Sequence, residues 1–467
     1  MKAPGSVAST WVTLGVLCGV LCGTAPAAPA AAQAETITVL RGARLVDGRG
    51  GAPVDPATIV LRGERVVAVG PMDALPSFAR EKVIDLRGKT VMPGLVADHA
   101  HVGQTSGAEQ GAAHYTRANV LRQLQQYQAY GVTTVTSLGV NVAEVFYPLR
   151  AEMRAGKVEG ADLLGADHGV GMPDGAPPQA MLKAGAGQVD RPETPEKARQ
   201  VVREQKARGT DLVKVWIDDF NHSMPGKMDP AIWRAVIEEA HQQGLRVAAH
   251  IYYLADAKAL AEGGVDIIAH GVRDVPVDAA FIEVMKQRGT WYVPTLELDE
   301  ATFLYAERPS WMAEPFFQHA VQPGLKAQLD DPAWRARKLA EPAVAAAKKS
   351  LEMNLRNLKA LHDAGVHIGF GTDSGANPLR IPGFAEHREL RLMVQAGLSP
   401  VQAITIATRE AAALLKLDDR GEIAPGKLGD LVVLDGDPTQ DIGNADRIHA
   451  VWRRGRQVAG PVTSFTP

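Results

Sequence analysis

Residues 91–101 read VMPGLVADHAH, an apolar run that ends in two histidines separated by one alanine. Side chains alternate between the two faces of a strand, so His99 and His101 are predicted to point the same way and to reach one cation. An isolated pair of this kind also occurs by chance or as hydrogen-bonded surface residues. The metal-site interpretation is favoured here because four further ligand-type residues lie in or at the end of separate apolar segments: Lys214, His250, His270 and Asp373.

Beyond this stretch, short apolar runs alternate with amphipathic segments of helical length. The runs predicted as strands are residues 91–98, 132–138, 162–166, 212–217, 246–250, 267–270, 291–295 and 367–373. Helices are predicted over residues 117–130, 195–208, 230–243 and 255–262. Eight strand–helix units predict an α/β fold, a (β/α)8 TIM barrel over residues 93–417 with a helical insertion at about 297–362. An open, doubly wound parallel sheet is the alternative.

The two segments that flank this middle region differ from it in composition and in hydrophobic pattern. Residues 35–92 are rich in Val, Ile, Thr, Gly and Arg, with alternating runs closed by glycine-containing turns, and the same texture returns in residues 418–467. Such runs are typical of short antiparallel strands. The sequence therefore predicts a small β-sandwich-like domain built from both termini.

The first 34 residues are predicted to be a signal peptide. Lys2 supplies a positive charge, an apolar stretch follows from Trp11 to Leu21, and residues 32–34 read AQA, a small-x-small cleavage site. A membrane anchor is the competing interpretation, but the apolar stretch is shorter than the roughly 20 residues of a spanning helix. We therefore expect an exported protein, periplasmic or secreted, with no membrane association after cleavage.

Both cysteines of the chain, Cys18 and Cys22, lie in this leader. The mature protein would therefore have no disulfide and no thiolate ligand, so any metal must be held by nitrogen and oxygen. The formal net charge is −3 and no basic block occurs, which argues against nucleic acid as a partner. A small-molecule substrate is expected, and a homo-oligomer is left open.

In a TIM barrel the chemistry collects at the carboxyl ends of the strands, where the predicted ligands lie. Lys214 is the unusual member, because alternation with Val213 and Val215 predicts that it points into the barrel. Burial lowers the pKa of an amine, and a neutral amine can add carbon dioxide to give a carbamate that bridges two cations. The alternatives are a lysine paired with Asp218 or Asp219, or one that binds substrate.

These motifs together resemble the amidohydrolase superfamily over nearly all of the mature chain. The resemblance rests on DHAH at 98–101, VKV at 213–215, His250, AHG at 269–271, GTD at 371–373 and GEIAPGKLGDLVVLD at 421–435. The chain looks most similar to the branch with imidazolonepropionase-related amidohydrolases and metal-dependent Xaa-Pro dipeptidases and carboxypeptidases. The resemblance implies two divalent metal ions, expected to be zinc: one on His99, His101 and Asp373, the other on His250 and His270, with carbamylated Lys214 bridging them.

The predicted activity is hydrolysis of an amide bond of a small substrate, such as a dipeptide or an N-acyl amino acid, by metal-activated hydroxide. Asp373 is the predicted catalytic residue, taking a proton from water and delivering it to the leaving nitrogen. Superfamily deaminases usually place a glutamate three residues after the strand-five histidine. Tyr253 occupies that position here, which argues against deamination.

Substrate contacts are predicted from proximity to the ligands. Tyr252 and Arg273 follow His250 and His270 closely enough to bind a substrate carboxylate, and His168 lies in the loop after the third strand. Arg273 in a surface ion pair and His168 as a turn residue are the alternatives. A metal-dependent esterase, lactonase or phosphotriesterase stays open as a function, as does a non-catalytic periplasmic binding protein.

Overall fold

The structure, a computed structural model, describes residues 37–74, 81–185 and 187–466. The predicted signal peptide at 1–34 lies outside these residues. Among the helices of the described residues, none is both long and apolar enough to cross a bilayer.

The strands of the described residues belong to a mixed sheet, a small hairpin and a parallel barrel. In chain order they are β1 Ile37–Leu45, β2 Val54–Arg62, β3 Arg65–Pro71, β4 Glu81–Asp85, β5 Thr90–Pro93, β6 Leu95–Ala100, β7 Thr105–Ser106, β8 Glu109–Gln110, β9 Val132–Ser137, β10 Asp162–Gly165, β11 Val213–Trp216, β12 Val247–His250, β13 Ile267–Ala269, β14 Trp291–Val293, β15 Gly371–Ser374, β16 Leu431–Leu434, β17 Ile448–Arg453 and β18 Arg456–Ala459.

The helices follow most barrel strands and also fill the longest connection. They are α1 Arg117–Ala129, α2 Ala143–Arg154, α3 Gln179–Leu182, α4 Pro195–Arg208, α5 Pro230–Gln242, α6 Leu254–Glu262, α7 Ala279–Arg288, α8 Glu297–Glu300, α9 Leu304–Glu307, α10 Pro315–Gln318, α11 Pro323–Asp330, α12 Pro332–Leu339, α13 Pro342–Asp363, α14 Phe384–Gln395, α15 Pro400–Thr405 and α16 Ala411–Leu414. A π-helical turn, Ile406–Glu410, joins the last two.

Local sequence accounts for the helix boundaries. At the start of α4 the hydroxyl of Thr194 accepts a hydrogen bond from the Lys197 N–H at 3.3 Å, and Pro195 occupies the first turn, where its missing N–H costs nothing. The helix ends at Gly209, whose φ of 92° closes the last turn in a conformation that glycine adopts without strain. These signals explain why the predicted and observed bounds of this helix coincide.

Eight parallel strands, β6 and β9 to β15, form the predicted barrel in two four-stranded halves. One half has the order β10-β9-β6-β15 and the other β11-β12-β13-β14. The Asp211 N–H donates to the Gly165 carbonyl at 3.1 Å across one junction, and the Tyr292 N–H donates to the His367 carbonyl at 2.9 Å across the other. The (β/α)8 prediction is confirmed, and the open-sheet alternative is wrong.

The sequence predicts one continuous strand over residues 91–98, but the structure divides this stretch between two strands. Val91 and Met92 belong to β5, which pairs with β1 and β16 of the mixed sheet, and the barrel strand β6 begins only at Leu95. Pro93 has no N–H to continue the ladder, and a side chain on Gly94 would collide with Thr133 at 2.4 Å. The break at 93–94 therefore sends the chain from one sheet into the other.

The mixed sheet draws strands from both flanks of the chain. Its order is β18-β17-β16-β5-β1-β2-β3, with β4 paired to β1. A separate apolar cluster that includes Leu40, Ile59, Leu431 and Trp452 packs on it. The connection after β14, residues 297–363, forms helices α8 to α13. The division into domains at residues 35–92, 93–417 and 418–467 stays a prediction.

Candidate metal centre and active site

The six predicted ligands lie together in the barrel, five of them in or directly after the carboxyl-terminal half of a strand and Lys214 nearer the start of its strand. His99 is on β6 with His101 directly after it, Lys214 is on β11, His250 ends β12, His270 follows β13, and Asp373 is on β15, and all six are buried. The ring centroid of His270 lies 4.4 Å from that of His99 and 4.4 Å from that of His250. The His101 ring lies 5.7 Å from that of His99, so strands that are far apart in sequence bring the four imidazoles together in a row of ring contacts.

Three of these residues form one compact ligand group. The Nε2 atoms of His99 and His101 each lie 3.1 Å from Oδ1 of Asp373. One ligand atom from each of the three residues lies within 4.8 Å of the others, which is the spacing of atoms that can share a cation. The donor set of two imidazoles and a carboxylate fits zinc and the other borderline divalent metals.

Lys214 and His250 occupy the other part of the centre, next to His270. The Lys214 side chain is fully buried, and its Nζ has no hydrogen-bond partner among the described residues. His250 Nε2 lies 3.3 Å from Oδ1 of Asp218, while its Nδ1 also has no partner in the described part of the chain. Buried nitrogen atoms without partners are costly, and a bound cation or a carbamate would satisfy them.

The pKa shifts favour the protonation states that bind metal. Burial lowers the pKa of His99 to about 3, helped by the charge of Lys214, and burial also holds the pKa of His270 well below its usual value. Burial would raise the pKa of Asp373, but the charge of Arg380 and the contacts with His101 and His99 outweigh burial and hold that pKa well below the ordinary range. The shifts favour neutral imidazoles at His99 and His270 and an ionised carboxylate at Asp373, which are the forms that bind metal.

Lys214 is shifted toward the neutral amine. Burial lowers the pKa of its ammonium from 10.5 to about 7, against the opposing charges of Asp373 and Asp218. A substantial fraction of the amine is then neutral at neutral pH, which is the form that can add carbon dioxide.

Two of the predicted ligands have a strained backbone conformation. His270 has φ of 81° and Asp373 has φ of 63°, in the left-handed region that costs an L-residue roughly 1–2 kcal/mol. Two of the histidine rings are held by contacts at Nδ1. The hydroxyl of Thr295 lies 3.0 Å from His270 Nδ1, and the Gly139 carbonyl lies 3.2 Å from His101 Nδ1. Each contact occupies Nδ1 and leaves Nε2 for a ligand.

A cavity of about 380 Å³ opens onto this centre, with His101, His250, His270 and Asp373 in its wall. The last residue of β11 and the segments after β9, β10 and β11 supply an apolar half, comprising Val140, Pro177, Leu182, Trp216 and Phe220, with the polar residues Asn221 and Ser223 beside it. Segments after β12 to β15 supply a polar half, comprising Tyr252, Arg273, Asp299, Ser350, Asn377 and Arg380. A larger hollow of about 800 Å³ elsewhere, lined by residues such as Pro53 and Arg409, contains none of the six ligands.

The sequence matches the model of the amidohydrolase family over residues 90–458. The chain belongs to the amidohydrolase family. It is 23% identical to ochratoxinase of Aspergillus niger over 463 residues, covering 91% of this chain and 87% of that one. It is 24% identical to imidazolonepropionase of Deinococcus radiodurans over 417 residues, covering 87% and 92%. A crystal structure of a Xaa-Pro dipeptidase with bound methionine superposes with a TM-score of 0.71 at 24% identity, covering 91% and 100%.

These similarities confirm the resemblance to the imidazolonepropionase and Xaa-Pro dipeptidase branch, and this amidohydrolase is a hydrolase acting on carbon–nitrogen bonds. The family match therefore favours an enzyme over the alternative of a non-catalytic binding protein. The family is typically metal-dependent, in agreement with the buried His99, His101 and Asp373 group.

Two of the three predicted substrate residues of the amidohydrolase line its cavity. The Arg273 guanidinium lies over the Tyr252 ring at 4.8 Å, and the Tyr252 hydroxyl lies 3.0 Å from that of Ser350. Arg273 is buried, which does not fit the surface ion pair considered as its alternative. His168 lies elsewhere, with Nδ1 3.4 Å from Asp190 Oδ1, and is not among the cavity-lining residues of the described chain. A substrate contact of His168 therefore has no geometric support.

Sequence reasoning missed several residues at the site. Arg380 donates a hydrogen bond to Asp373 Oδ2, Asp299 accepts one from Arg273 at 3.4 Å, and the Phe220 ring stacks on that of His250 at 4.3 Å. Phe220 and Arg380 lie six and seven residues beyond Lys214 and Asp373 in loops without a motif. Asp299 lies in the long helical connection, where nothing in the sequence distinguishes it from surface acids.

Proposed function

We propose that this amidohydrolase cleaves the amide bond of a small N-acyl amino acid or dipeptide, with catalysis supported by two divalent cations. The observation that carries the proposal is the cluster of six buried ligand-type side chains, four of which line a cavity that also contains a buried arginine. The six supply both cation sites and a proton acceptor, and Arg273 supplies a site for a carboxylate.

The cation-binding roles follow from the contacts of each side chain. His99, His101 and Asp373 would hold one ion, His250 and His270 the other, and Lys214 would lie between them as a carbamate; the nitrogen and oxygen donors favour zinc. When bound, the two ions acidify a water molecule and polarise the substrate carbonyl.

The carbamate on Lys214 forms from the neutral amine. Its Nζ lone pair attacks the carbon of carbon dioxide, a new N–C bond forms as one C=O π pair moves onto oxygen, and one proton passes from the nitrogen to solvent, so the charge at this position changes from zero to −1. The fully buried, unpartnered Nζ supports this step, because it has no competing hydrogen bond among the described residues.

Asp373 carries the proton transfers. Its carboxylate takes a proton from the attacking water and donates it to the nitrogen as the C–N bond breaks, giving an acid and an amine. Arg380 donates to Oδ2, while His99 and His101 contact Oδ1, so the carboxylate is held from both sides. Tyr253, three residues after His250, leaves no glutamate for the acid–base role expected of a deaminase.

The polar half of the cavity suits the carboxylate of an amino-acid product. Arg273 donates to the Ile251 carbonyl at 3.2 Å and to Asp299 at 3.4 Å, but its buried Nε has no partner among the described residues. A buried guanidinium N–H without an acceptor favours an anionic ligand. The Tyr252 hydroxyl in the same wall would add a second hydrogen bond.

The apolar half suits the acyl group. Val140 and Trp216 pack in one apolar cluster to which Leu182 and Phe220 also belong, so this wall offers no charged partner. Burying an apolar acyl group there would be favourable, whereas a charged group would lose its hydration without compensation. Neutral acyl groups, aromatic ones included, are therefore the expected occupants.

The direct test combines metal analysis with a substrate panel. We expect metal that purifies with the protein to approach two ions per chain, and dialysis against a chelator to abolish hydrolysis until zinc is restored. N-acyl amino acids and dipeptides should be cleaved faster than matched esters, lactones and phosphotriesters. Full activity of the metal-free protein, or cleavage confined to esters or phosphotriesters, would refute the proposal.

Replacing Arg273 with methionine tests the carboxylate site. We expect KM for a free-acid substrate to rise about thirtyfold, because one charge-assisted hydrogen bond contributes about 2 kcal/mol. The control is the same substrate with its carboxylate amidated, for which wild type and variant should have similar KM values. An equal loss with both substrates would mean that Arg273 supports the fold and does not bind the carboxylate.

Replacing Leu182 with alanine tests the acyl site. We compare an N-benzoyl and an N-acetyl substrate that have the same amine. The kcat/KM of the benzoyl substrate relative to the acetyl substrate should fall about tenfold, because the isopropyl group that is removed would contact only the larger acyl group. Leu182→Met keeps the volume and should keep the ratio. A ratio that is unchanged in Leu182→Ala would place the acyl group elsewhere.

Export is a further part of the proposal. Lys2, the apolar stretch from Trp11 to Leu21 and the AQA sequence at 32–34 support cleavage after Ala34. Amino-terminal sequencing of protein expressed from the full gene in a bacterial host is expected to begin at Glu35, and an intact Met1 on active protein would contradict this.

A further inference from the structure

Glu386 lies in the first turn of α14 and is fully buried, and its carboxylate accepts three hydrogen bonds. Oε1 accepts from the hydroxyls of both Thr372 and Ser374, each at 2.7 Å. Oε2 accepts from the Gly383 N–H at 2.8 Å. The first two donors are the residues on either side of Asp373.

The segment between these two hydroxyls has an unfavourable backbone. Asp373 has φ of 63°, and the Ser374 N–H donates to the Thr372 hydroxyl at 3.0 Å across it. A left-handed L-residue persists only where its surroundings hold it. The side chain of Asp373 contacts His99, His101 and Arg380, so these contacts fix the carboxylate, and the Thr372 and Ser374 hydroxyls fix the backbone.

The same network extends to the first barrel strand. The Ser374 carbonyl accepts from the His101 N–H at 2.7 Å, and the Tyr127 hydroxyl lies 2.5 Å from Ser374 Oγ. Since Ser374 Oγ donates to Glu386, the Tyr127 hydroxyl is the donor in that contact. Displacing Ser374 would therefore move the backbone of His101 as well as that of Asp373.

Capping of α14 does not explain the arrangement. A glutamate at the third position of a helix commonly accepts from the N–H that precedes the helix, and Oε2 does so at Gly383. That role needs one oxygen. Oε1 is directed to β15, where it receives two hydroxyls that no helix cap requires.

We propose that Glu386 is a positioning residue for the active site: its carboxylate holds Thr372 and Ser374 together, and this sets the backbone that aims Asp373 and His101. The inference rests on the proposed role of Asp373. Glutamine at position 386 has one acceptor oxygen and one amide that donates, so at least one of the three donors loses its partner while the side-chain volume is kept.

The first experiment compares Glu386→Gln with Glu300→Gln. Glu300 is also buried and accepts a hydrogen bond at 2.6 Å from Arg388, which lies on α14 as Glu386 does. Among the described residues, no hydrogen bond or ion pair joins Glu300 to a side chain of β15. Glu386→Gln is expected to lower kcat about ten- to hundredfold with little change in KM, and to retain less zinc after dialysis against a weak chelator. Glu300→Gln should lower the thermal unfolding temperature of the metal-free protein and leave kcat and zinc retention unchanged.

A mutant cycle tests whether Glu386 acts through the flanking hydroxyls. Ser374→Ala alone should lower kcat in the same way, and it keeps the proposal testable if Glu386→Gln does not fold. The double variant should lose clearly less than the product of the two single losses, because both changes break the contact between Ser374 and Glu386, although Ser374→Ala also removes the hydroxyl that Tyr127 contacts. Independent, multiplicative losses would overturn the inference.

Three results refute the inference while leaving the proposed function intact: wild-type kcat and zinc retention in Glu386→Gln, equal kcat losses in Glu386→Gln and Glu300→Gln, or multiplicative losses in the cycle. Wild-type protein that binds no zinc and cleaves no amide would refute the proposed function itself.

Discussion

Lys214→Ala is expected to lower kcat/KM about 10³-fold, at the upper end of what the loss of one preorganised electrostatic group costs. Metal content should fall from two ions per chain to one or none. The reason is that Lys214, as the proposed bridge between the two cation sites, would take the shared ligand with it. Metal analysis and steady-state kinetics on the same preparations measure both effects.

Two further experiments distinguish a carbamate on Lys214 from an unmodified lysine. Propionate should restore part of the activity of Lys214→Ala, because a small carboxylate can occupy the space that the side chain leaves. Wild-type protein prepared with ¹³C-bicarbonate should show a carbamate carbon signal that Lys214→Ala lacks. Lys206→Ala, which removes an exposed lysine of α4, is the matched control. Two metals and full turnover in Lys214→Ala would exclude the bridge.

Asp373→Asn is expected to lower kcat by about 10²–10⁴-fold, the range that general acid–base catalysis contributes. The amide has nearly the same shape as the carboxylate but cannot take a proton from water. KM should change little, because Asp373 contacts two histidines and an arginine and is not placed to bind the acyl or carboxylate end of the substrate.

Substrates with different leaving groups distinguish the two proposed roles of Asp373, proton acceptor from water and proton donor to the leaving nitrogen. A substrate with a p-nitroaniline leaving group needs less protonation of its nitrogen than one with an alkylamine, so Asp373→Asn should be impaired less on the anilide. Asp446→Asn, which removes an ion-pair partner of Arg391 away from the cavity, should be impaired on neither. An identical loss on both substrates would mean that Asp373 does not protonate the leaving nitrogen.

The barrel could be predicted because its strands are short apolar runs of regular spacing, and parallel strands with helical crossovers leave few other topologies. The predicted start of the first barrel strand was wrong. Residues 91–93 are as apolar as β6, but they belong to the mixed sheet. Periodicity cannot detect such a change of partner. Pro93 and Gly94 mark the break, and their effect depends on Thr133 and Asp430, which lie far away in the chain.

The candidate ligands could be identified because each lies in or next to an apolar strand that ends at the same face of the barrel. Tyr252 and Arg273 could be found for the same reason, within three residues of a ligand. Arg380, Asp299 and Glu386 could not, because they lie in a loop or in helices whose local sequence is that of many solvent-exposed segments. Their positions depend on how α8 and α14 pack beside β15.

The linear chain is sufficient to specify eight strands, the chemical types of the six candidate ligands and the absence of cysteine after Cys22, since spacing and residue type are local properties. Folding in three dimensions settles which nitrogen lacks a partner, how far burial lowers the pKa of Lys214, and which glutamate holds the backbone of Asp373. These properties depend on neighbours contributed by distant segments, and on the exclusion of water that their packing produces.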